Sequence, residues 1–401
     1  MNFIRKPQQS LSKMDYPSLI KYMGSKSKIM NFVFEGINEV YNGGVILDVF
    51  AGSASLAGAI SQQAPVYSND IQHYSNILAD TYNKAYITNQ TPTAHQILED
   101  ATVVVLEIRD LSNIDIDYYA NITLHEFQKL EEQQKLLINS SFTNKWHLFT
   151  KNYSGTWWSH EQCMWIDAIR SLAEQHKPTG HYPAIMSALM YAMAYASQGT
   201  GHYAQYRDAK TASSLKDILI YRRRSLPDYF RKKYDELRSY LPTVPQKLNH
   251  KSTHMDFKDC INSFEGGTVY ADPPYCFVHY SRFYHALETL VLYDYPTLQI
   301  KGDKIVKGRY RDNRHQSPFC IKSKVKQSFE DLFNGVQNTK SNMVLSYSNT
   351  GMISMNEVSD LAQSIFSKRK IELLTTDHIH MTLGRKNDRQ REVQECLILV
   401  T

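Results

Sequence analysis

In the N-terminal part of the chain, short apolar runs alternate with segments of helical period. Residues 45–50 form an apolar run rich in β-branched side chains, and the small residues 51–54 follow it, which predicts a strand that enters a tight turn. The pattern then predicts a helix over 55–62, a strand over 65–70 and a helix over 74–85. This order of elements predicts the start of a parallel, doubly wound sheet.

From about residue 91 to residue 246 the apolar positions follow a mostly helical period. A small and apolar helix predicted over 184–196 ends before Gly199 and Gly201, which can supply a left-handed cap. The pattern further predicts strands over 249–254, 267–272, 342–348, 371–380 and 393–400, and helices over 257–264, 318–333 and 355–366. The turn-like residues 383–388 separate the last two strands and predict a hairpin with an antiparallel end strand.

These patterns predict an α/β fold in which an inserted helical domain splits one sheet domain. We divide the chain into a polar N-terminal arm (1–16), the first part of the sheet domain (17–90), the helical insertion (91–246) and the second part of the sheet domain (247–401). The sequence contains no internal repeat or low-complexity tract.

Composition is that of a globular chain and excludes disordered or fibrous proteins. Hydrophobic residues make up 42% and charged residues 21% of the 401 residues. The apolar stretch 184–196 is shorter than the roughly 20 residues of a membrane helix, and the first residues lack a hydrophobic signal core, so we expect a cytoplasmic protein without a membrane partner. The 5 cysteines are scattered and never form a C-x-x-C pair, so we expect reduced thiols and neither disulfides nor structural zinc.

The basic residues cluster, although the net charge of the whole chain is only +5. Residues 207–247 hold 11 basic against 5 acidic side chains, and residues 301–326 hold 9 against 2. A polyanion meets such local patches and not the mean charge, so this distribution favours a nucleic-acid partner.

The clearest chemical signal is Asp272-Pro273-Pro274-Tyr275, at the carboxyl edge of a predicted strand. Each proline fixes φ near −65° and removes an N–H, and the residue before a proline is extended. Backbone carbonyls are therefore held stiffly beside an aspartate, and the tyrosine adds a flat face. Such a group of acceptors suits a planar amine.

Further segments lie at predicted strand ends or helix starts. They are Lys21-Tyr22-Met23-Gly24-Ser25-Lys26, Asp48-Val49-Phe50-Ala51-Gly52-Ser53-Ala54, Asp70 and Asp256-Phe257. Each alone has a plain structural reading: a solvated lysine face, a strand-end turn, a cap or the start of a helix. Their number and order favour a functional site instead. The absence of G-x-G-x-x-G lowers the case for a nicotinamide-dependent oxidoreductase.

Taken in order, these segments resemble the Dam-like, alpha-group DNA adenine-N6 methyltransferases, which use S-adenosylmethionine. The resemblance covers about 17–90 and 247–401 and implies a Rossmann-like methyltransferase sheet. It implies that the cofactor is bound by Tyr22, Gly24, Lys26, Asp48, Phe50, Gly52, Asp70, Asp256 and Phe257. Ala54 departs from the pattern, which usually has a second glycine there; its methyl group is tolerable if the backbone keeps φ negative.

The resemblance also implies the reaction: methyl transfer to the N6 amine of an adenine flipped out of double-stranded DNA. The residues implied to be catalytic are Asp272, Pro273, Pro274 and Tyr275. The Asp272 carboxylate and the Pro273 carbonyl would accept the two N–H bonds of the amine, and Tyr275 would stack on the flipped base. No metal is required for this chemistry.

We expect the insertion and a second basic segment after the catalytic motif to contact DNA. The candidate residues are Gln198, His202, Gln205, Arg207, Arg222, Arg223, Arg282, Arg309, Arg311 and Arg314. The alternative for the arginines at 222–224 is a solvated helix face. Trp157, Trp158 and Trp165 are expected in the core and not between bases.

Two other functions compatible with these motifs stay open. A cytosine-N4 methyltransferase acts on a similar amine, although such enzymes more often have Ser where this chain has Asp272. The second alternative is a DNA-binding module on the same fold without catalysis. The DNA sequence that is recognised, the oligomeric state and a cognate restriction endonuclease as partner are not determined by these residues.

Overall fold

A seven-stranded sheet forms the centre of the molecule. The computed structural model of the protein describes residues 11–112, 119–199, 201–245, 247–275, 277, 279–381 and 390–401. Its strands are β1 (Ile46–Asp48), β2 (Val66–Asn69), β3 (Lys251–Thr253), β4 (Thr268–Ala271), β5 (Ile300–Lys301), β6 (Lys304–Ile305), β7 (Asn342–Ser348), β8 (Ile371–Met381) and β9 (Gln390–Val400). The large sheet has the order β3-β2-β1-β4-β7-β9-β8, and β5 and β6 form a separate two-stranded sheet.

Five neighbouring strands of the large sheet are parallel, and the last two are not. β3, β2, β1, β4 and β7 pair in parallel, whereas β9 pairs antiparallel with both β7 and β8. The predicted doubly wound sheet and the predicted terminal hairpin are thus confirmed. The predicted turn at 383–388 lies outside the described residues.

Fifteen α-helices occur among the described residues, and the sheet lies between two groups of them. They are α1 (Met30–Val40), α2 (Ser55–Ile60), α3 (His73–Asn83), α4 (Ala94–Ser112), α5 (Leu124–Leu136), α6 (Leu148–Tyr153), α7 (His160–Gln175), α8 (Tyr182–Ala196), α9 (Ala212–Arg222), α10 (Leu226–Tyr240), α11 (Phe257–Asn262), α12 (Tyr280–Phe283), α13 (His285–Leu292), α14 (Val325–Asn338) and α15 (Met355–Ile365). α11, α14 and α15 cover one face of the sheet, and α1 packs on the other.

Successive residues of a central strand point to these two different layers. Val269 and Ala271 of β4 belong to the apolar cluster under α11, α14 and α15, whereas Tyr270 between them belongs to the cluster on the opposite face. Because both faces of the sheet are covered, its central strands are buried on both sides and rich in apolar residues, as buried parallel strands are. This explains why they are visible in the sequence as continuous apolar runs.

The segment between α3 and β3 is helical, as predicted. Its described residues form α4–α10, and none of the strands β1–β9 lies among them. α8 packs on α3, where the Thr81 hydroxyl lies 2.8 Å from the Ser187 hydroxyl, and the largest apolar cluster runs from α1 and α3 into α7, α8 and α10. The helical segment therefore shares its core with one face of the sheet.

Several predicted boundaries are wrong in detail. Ser197, with φ −69°, ends α8 in an extended conformation, so neither predicted glycine supplies a left-handed cap. Gly199 is instead a place of close approach, since a Cβ there would lie 2.7 Å from the carbonyl oxygen of His202. The helix predicted over 318–333 is a short 3₁₀ turn, Pro318–Cys320, followed by α14.

Residues 11–16 of the predicted polar arm lie on the protein and are not a free arm. Leu11 is buried, the amide of Met14 donates to the carbonyl of Ala59, and the ring of Tyr16 lies against Gly58 of α2. The rest of that predicted arm lies outside the described residues. Among the helices that the structure describes, none combines the length and the apolar character needed to cross a membrane.

Candidate active site

One pocket lies at the carboxyl ends of the parallel strands β1, β2, β3 and β4. All four strands end at the same edge of the sheet, where doubly wound proteins bind ligands. The pocket brings together all the residues singled out as cofactor-binding or catalytic, namely Tyr22, Gly24, Lys26, Asp48, Phe50, Gly52, Asp70, Asp256, Phe257, Asp272, Pro273, Pro274 and Tyr275. Segments far apart in the sequence therefore form one site.

The turn after β1 is bound to the end of β2 through Asp70. The amide of Gly52 donates to Asp70 Oδ2 over 2.8 Å, and the amide of Gln72 donates to Oδ1 over 2.9 Å. Burial raises the pKa of Asp70 to about 6, although these two amides lower it. Gly52 has φ +51°, and a Cβ there would lie 3.1 Å from the ring of Tyr22, so the turn favours glycine at this position.

Ala54, at the N-cap of α2, has a left-handed backbone with φ +57° and ψ +29°. The condition under which its methyl group would be free of strain, a negative φ, is therefore not met. Its Cβ crowds the following carbonyl at a cost of roughly 1–2 kcal/mol. Its side chain is fully buried among apolar residues, which offsets part of this cost. The position is one where glycine would be the unstrained residue.

The acidic side chains of the pocket have different partners. Asp48 Oδ1 is buried without a hydrogen-bond partner among the described residues, and burial, with the charges of Asp272 and Asp70, raises the pKa of Asp48 well above its ordinary value. Burial also raises the pKa of Asp272, to about 6, against the lowering effect of Lys26. A pocket with several carboxylates suits a ligand that carries positive charge.

Lys26 lies between two carboxylates at the base of the Asp272–Tyr275 segment. Its Nζ is 3.3 Å from Asp272 Oδ1 and 3.0 Å from Glu395 Oε2. Burial by itself would lower the pKa of Lys26, but the two carboxylates raise it above its ordinary value. Lys26 therefore stays charged, and its ammonium also lies 5.0 Å from the ring centre of Tyr275.

Aromatic rings form the walls of the pocket. Tyr22 stacks on Tyr284 with ring centres 4.7 Å apart and on Tyr280 at 5.6 Å, and Tyr280 hydroxyl would lie 3.0 Å from a Cβ at Gly24. At the other end, the centres of the Phe50 and Phe257 rings are 5.9 Å apart. These walls leave flat apolar surfaces beside the carboxylates.

Sequence reasoning gave no catalytic or cofactor-binding role to Tyr280, which lines the pocket, or to Glu395 and Tyr284, which contact pocket residues from behind. Glu395 lies in β9 and is 1% exposed, and its Oε1 accepts a hydrogen bond of 3.0 Å from the Tyr275 hydroxyl. In the sequence, Glu395 directly precedes the apolar run 396–400. A charged residue in a buried strand needs a partner, and this was the signal that could have identified Glu395. Tyr280 and Tyr284 lie on consecutive turns just after the catalytic motif, but aromatic residues at that spacing usually indicate only a core face.

Comparison with known proteins agrees with this geometry. A sequence model of the D12 class N6 adenine-specific DNA methyltransferases matches residues 22–360. The chain belongs to this family. Its members use S-adenosylmethionine as methyl donor.

Individual relatives of this D12-class chain are modification methylases. It is 22% identical to modification methylase LlaI of Lactococcus lactis subsp. lactis, over 94% of this chain and 54% of that protein. It is 24% identical to modification methylase StsI of Streptococcus sanguinis, over 85% of this chain and 46% of that protein. The chain thus spans about half the length of these two relatives. Type II methyltransferase M.NlaIII of Neisseria lactamica is 22% identical, over 93% of this chain and 96% of that protein.

Three of the residues predicted to contact DNA in this D12-class chain have buried side chains. Arg222 of α9 forms a two-bonded ion pair with Glu131 of α5, at 2.9 and 2.8 Å. Gln198 is 1% exposed and donates to the carbonyl of Thr156, and Arg309 is 6% exposed and donates to the carbonyl of Asn152. These three predictions are corrected: the side chains are buried and donate hydrogen bonds inside the protein, so they are not part of its surface.

The other candidates lie at or near the surface of the D12-class chain. Gln205, Arg207 and Arg223 are exposed, and His202, Arg282, Arg311 and Arg314 are partly exposed. Arg311 is paired with Asp294 at 2.7 and 2.6 Å, whereas Arg282 and Arg314 both lie over the ring of Tyr310. Trp157 and Trp158 are fully buried, which confirms their placement in the core, and Trp165 is partly buried against it.

Proposed function

We propose that this chain transfers a methyl group from S-adenosylmethionine to the N6 amine of an adenine flipped out of double-stranded DNA. One observation carries the proposal: the Asp272-Pro273-Pro274-Tyr275 motif and the cofactor-binding segments line the same pocket. Family membership supports the same chemistry. The roles of single residues below are part of this proposal.

The residues of the pocket fit the proposed cofactor. Buried Asp48 Oδ1 has no hydrogen-bond partner within the described part of the chain, and the acidic lining suits a ligand with sulfonium and ammonium charges. Asp70 would hold the ribose hydroxyls, and Phe50, Asp256 and Phe257 would hold the adenine. When bound, S-adenosylmethionine supplies an electrophilic methyl group.

The chain's own contribution is to hold and polarise the target amine. The exocyclic nitrogen is a poor nucleophile because its lone pair is delocalised into the ring. Hydrogen bonds from the amine to the Asp272 carboxylate and the Pro273 carbonyl would localise that pair and stabilise the positive charge that develops on nitrogen. With a pKa of about 6, Asp272 is ionised at neutral pH and able to accept.

Base capture would depend on Tyr275. Its ring is partly exposed at the pocket, and its hydroxyl donates to Glu395, which restricts the ring orientation. Flipping a base out of a duplex costs a few kcal/mol, and stacking on an aromatic ring returns about 1–3 kcal/mol. The oriented ring therefore provides a stacking surface for the flipped adenine.

The helical segment 91–246 and the surface around the pocket mouth would bind the duplex. We propose target recognition for this segment, with His202, Gln205, Arg207 and Arg223 as its surface candidates. A DNA substrate would place the chain inside the cell, and we propose the cytoplasm as its location. The modification methylases among the relatives support a restriction endonuclease as a partner in the cell.

The proposed reaction is tested by incubating the protein with DNA and tritium-labelled S-adenosylmethionine, followed by nucleoside analysis of the DNA. Label in N6-methyladenine supports the proposal. Label in N4-methylcytosine would assign the alternative target, and absence of label in DNA that still binds the protein would favour a non-catalytic binding module. Sequencing of the methylated bases then defines the recognised site.

Replacement of Tyr275 by alanine should raise KM for DNA about tenfold or more, because a stacking contact of about 1–3 kcal/mol is lost. Tyr275→Phe keeps the ring and loses only the hydrogen bond to Glu395, so we expect KM for DNA to rise only about threefold. Both values come from steady-state methylation kinetics on the identified site. Unchanged kinetics of Tyr275→Ala would contradict stacking on this ring.

Arg282 and Arg314 should contact phosphates near the pocket mouth. Arg282 directly follows the pocket residue Ser281, and Arg314 directly precedes the pocket residue His315. Within the described chain, neither arginine forms an ion pair. Replacing both by glutamine should reduce the slope of log binding constant against log salt by about 1.8, since each phosphate contact contributes about 0.9. Arg311→Gln is the matched control, because Asp294 already neutralises Arg311. An equal or larger effect of that control would contradict this assignment.

A further inference from the structure

Glu395 connects two parts of the site that the catalytic motif alone does not connect. It lies in β9, two strands away from β4, opposite Ser348 of β7. One carboxylate oxygen accepts from Lys26 Nζ at 3.0 Å, and the other accepts from the Tyr275 hydroxyl at 3.0 Å. The side chain is 1% exposed, so both bonds are formed away from solvent.

A buried carboxylate is retained only when its charge is compensated, because its desolvation costs several kcal/mol. Here the compensation comes from Lys26, which has a second carboxylate, Asp272, at 3.3 Å. The cation is thus held from two sides, and its position depends on both acids. Tyr275 is fixed by the same carboxylate that holds the cation.

We propose that Glu395 is a positioning residue of the acceptor site, which holds Lys26 against Asp272 and fixes the ring of Tyr275. This inference rests on the proposed function and adds to it the reason why the acceptor carboxylate and the stacking ring have fixed positions before a base arrives. Preorganised groups of this kind save the reorganisation that would otherwise be needed during reaction. It also assigns Lys26 a place beside the acceptor carboxylate.

Lys26 and Glu395 shift the pKa of Asp272 in opposite directions. The Lys26 charge lowers the pKa of Asp272, and the Glu395 charge raises it, while burial holds it near 6. Other titratable groups that interact with Asp272 are Asp48, Tyr270 and Tyr280. These stay the same in all variants below, so the differences between variants report on Lys26 and Glu395.

The test measures the pH at which Asp272 titrates and the pH dependence of kcat. In the wild type we expect kcat to fall as pH drops through about 6, because protonation removes the acceptor. Glu395→Gln should move this midpoint to lower pH, since a negative neighbour is removed. Lys26→Met should move it to higher pH by about 1 unit or more, as expected for loss of an opposite charge within ~4–6 Å. Carboxyl ¹³C resonances, assigned with Asp272→Asn, report the same midpoints without turnover.

Rates distinguish positioning from a general effect on folding. Glu395→Ala should lower kcat about 30-fold. Glu395→Gln can still accept a hydrogen bond from Tyr275 and should lower kcat only about threefold. In both variants the affinity for S-adenosylmethionine should stay within about threefold of the wild type. Glu372→Gln is the control, because Glu372 lies on the neighbouring strand β8 and pairs only with surface Lys370 among the described side chains. If Glu395→Ala does not fold, Glu395→Gln and Lys26→Met carry the test.

The outcomes separate this proposal from the function on which it rests. Midpoints that do not move, or that move in the same direction in Glu395→Gln and Lys26→Met, overturn the positioning role even if the wild type methylates DNA. Midpoints that move as stated in a protein that transfers no methyl group support the arrangement and contradict the proposed function alone. Full kcat in Glu395→Ala overturns the positioning role directly.

Discussion

Replacement of Asp272 by alanine is expected to lower kcat for DNA methylation by about 10²–10³-fold. In the proposed mechanism the carboxylate is the charged acceptor for the target amine, and loss of one preorganised group of this kind costs about 10²–10³ in rate. The affinity for S-adenosylmethionine, measured by calorimetry, should stay within about threefold, because the acids and aromatic rings elsewhere in the pocket are unchanged. Lys26 keeps Glu395 as a partner, so the variant should fold.

Two further variants sharpen this result. Asp272→Asn keeps the size of the side chain but replaces one acceptor oxygen with a donor, so a loss close to that of alanine identifies the charge and not the shape as the cause. Asp259→Asn, on the exposed face of α11, is the control. More than a tenth of wild-type kcat in Asp272→Ala would be incompatible with the proposed mechanism.

Replacement of Arg222 by methionine is expected to lower the free energy of unfolding by about 3–5 kcal/mol. The guanidinium binds both oxygens of Glu131 and the carbonyl of Trp157 at 2.9 Å, and its removal leaves a buried carboxylate without its cation. Urea unfolding gives the value. Burial raises the pKa of Glu131 while Arg222 lowers it, so in the variant Glu131 should protonate more readily. The loss should therefore be largest at neutral pH and smaller towards pH 5.

The neighbouring Arg223→Met is the matched control for this prediction. Arg223 is exposed and donates to the carbonyl of Tyr119, so its replacement should change the free energy of unfolding by less than about 0.5 kcal/mol. The double variant Glu131→Met with Arg222→Met should recover much of the stability lost in the single variant. Unchanged stability of Arg222→Met together with a weaker salt dependence of DNA binding would restore the prediction that Arg222 contacts DNA.

The contrast between Arg222 and Asp272 explains which parts of the site could be predicted. Asp272 is recognised by its covalent neighbours, because two prolines restrict the backbone whatever surrounds them. The role of an arginine depends on what packs against it, and Glu131 lies far away in the sequence. A run of basic residues therefore predicts charge but not exposure.

The same distinction applies to the fold. β1, β2, β4 and β7 lie close to their predicted positions because buried parallel strands are continuous apolar runs that end in small or polar turn residues. The start of α14 was missed because a periodic pattern does not show whether the chain around Pro318 forms a 3₁₀ turn or a longer helix. The sign of φ at Ala54 could not be read from the sequence because the conformation of the turn after β1 depends on its contacts with Asp70 and on the start of α2.

By itself, the sequence determined the α/β class, the parallel strands at the start of the sheet, the terminal hairpin and the rigid Asp272-Pro273-Pro274-Tyr275 segment, since these follow from local periodicity and from restrictions on a few adjacent residues. Only the tertiary structure decided that Glu395 joins Lys26 and Tyr275, that Arg222 is buried, and that the helical segment shares a core with the sheet. The physical reason is that these are contacts between residues distant in the chain, and their burial and charge compensation exist only once the chain is packed.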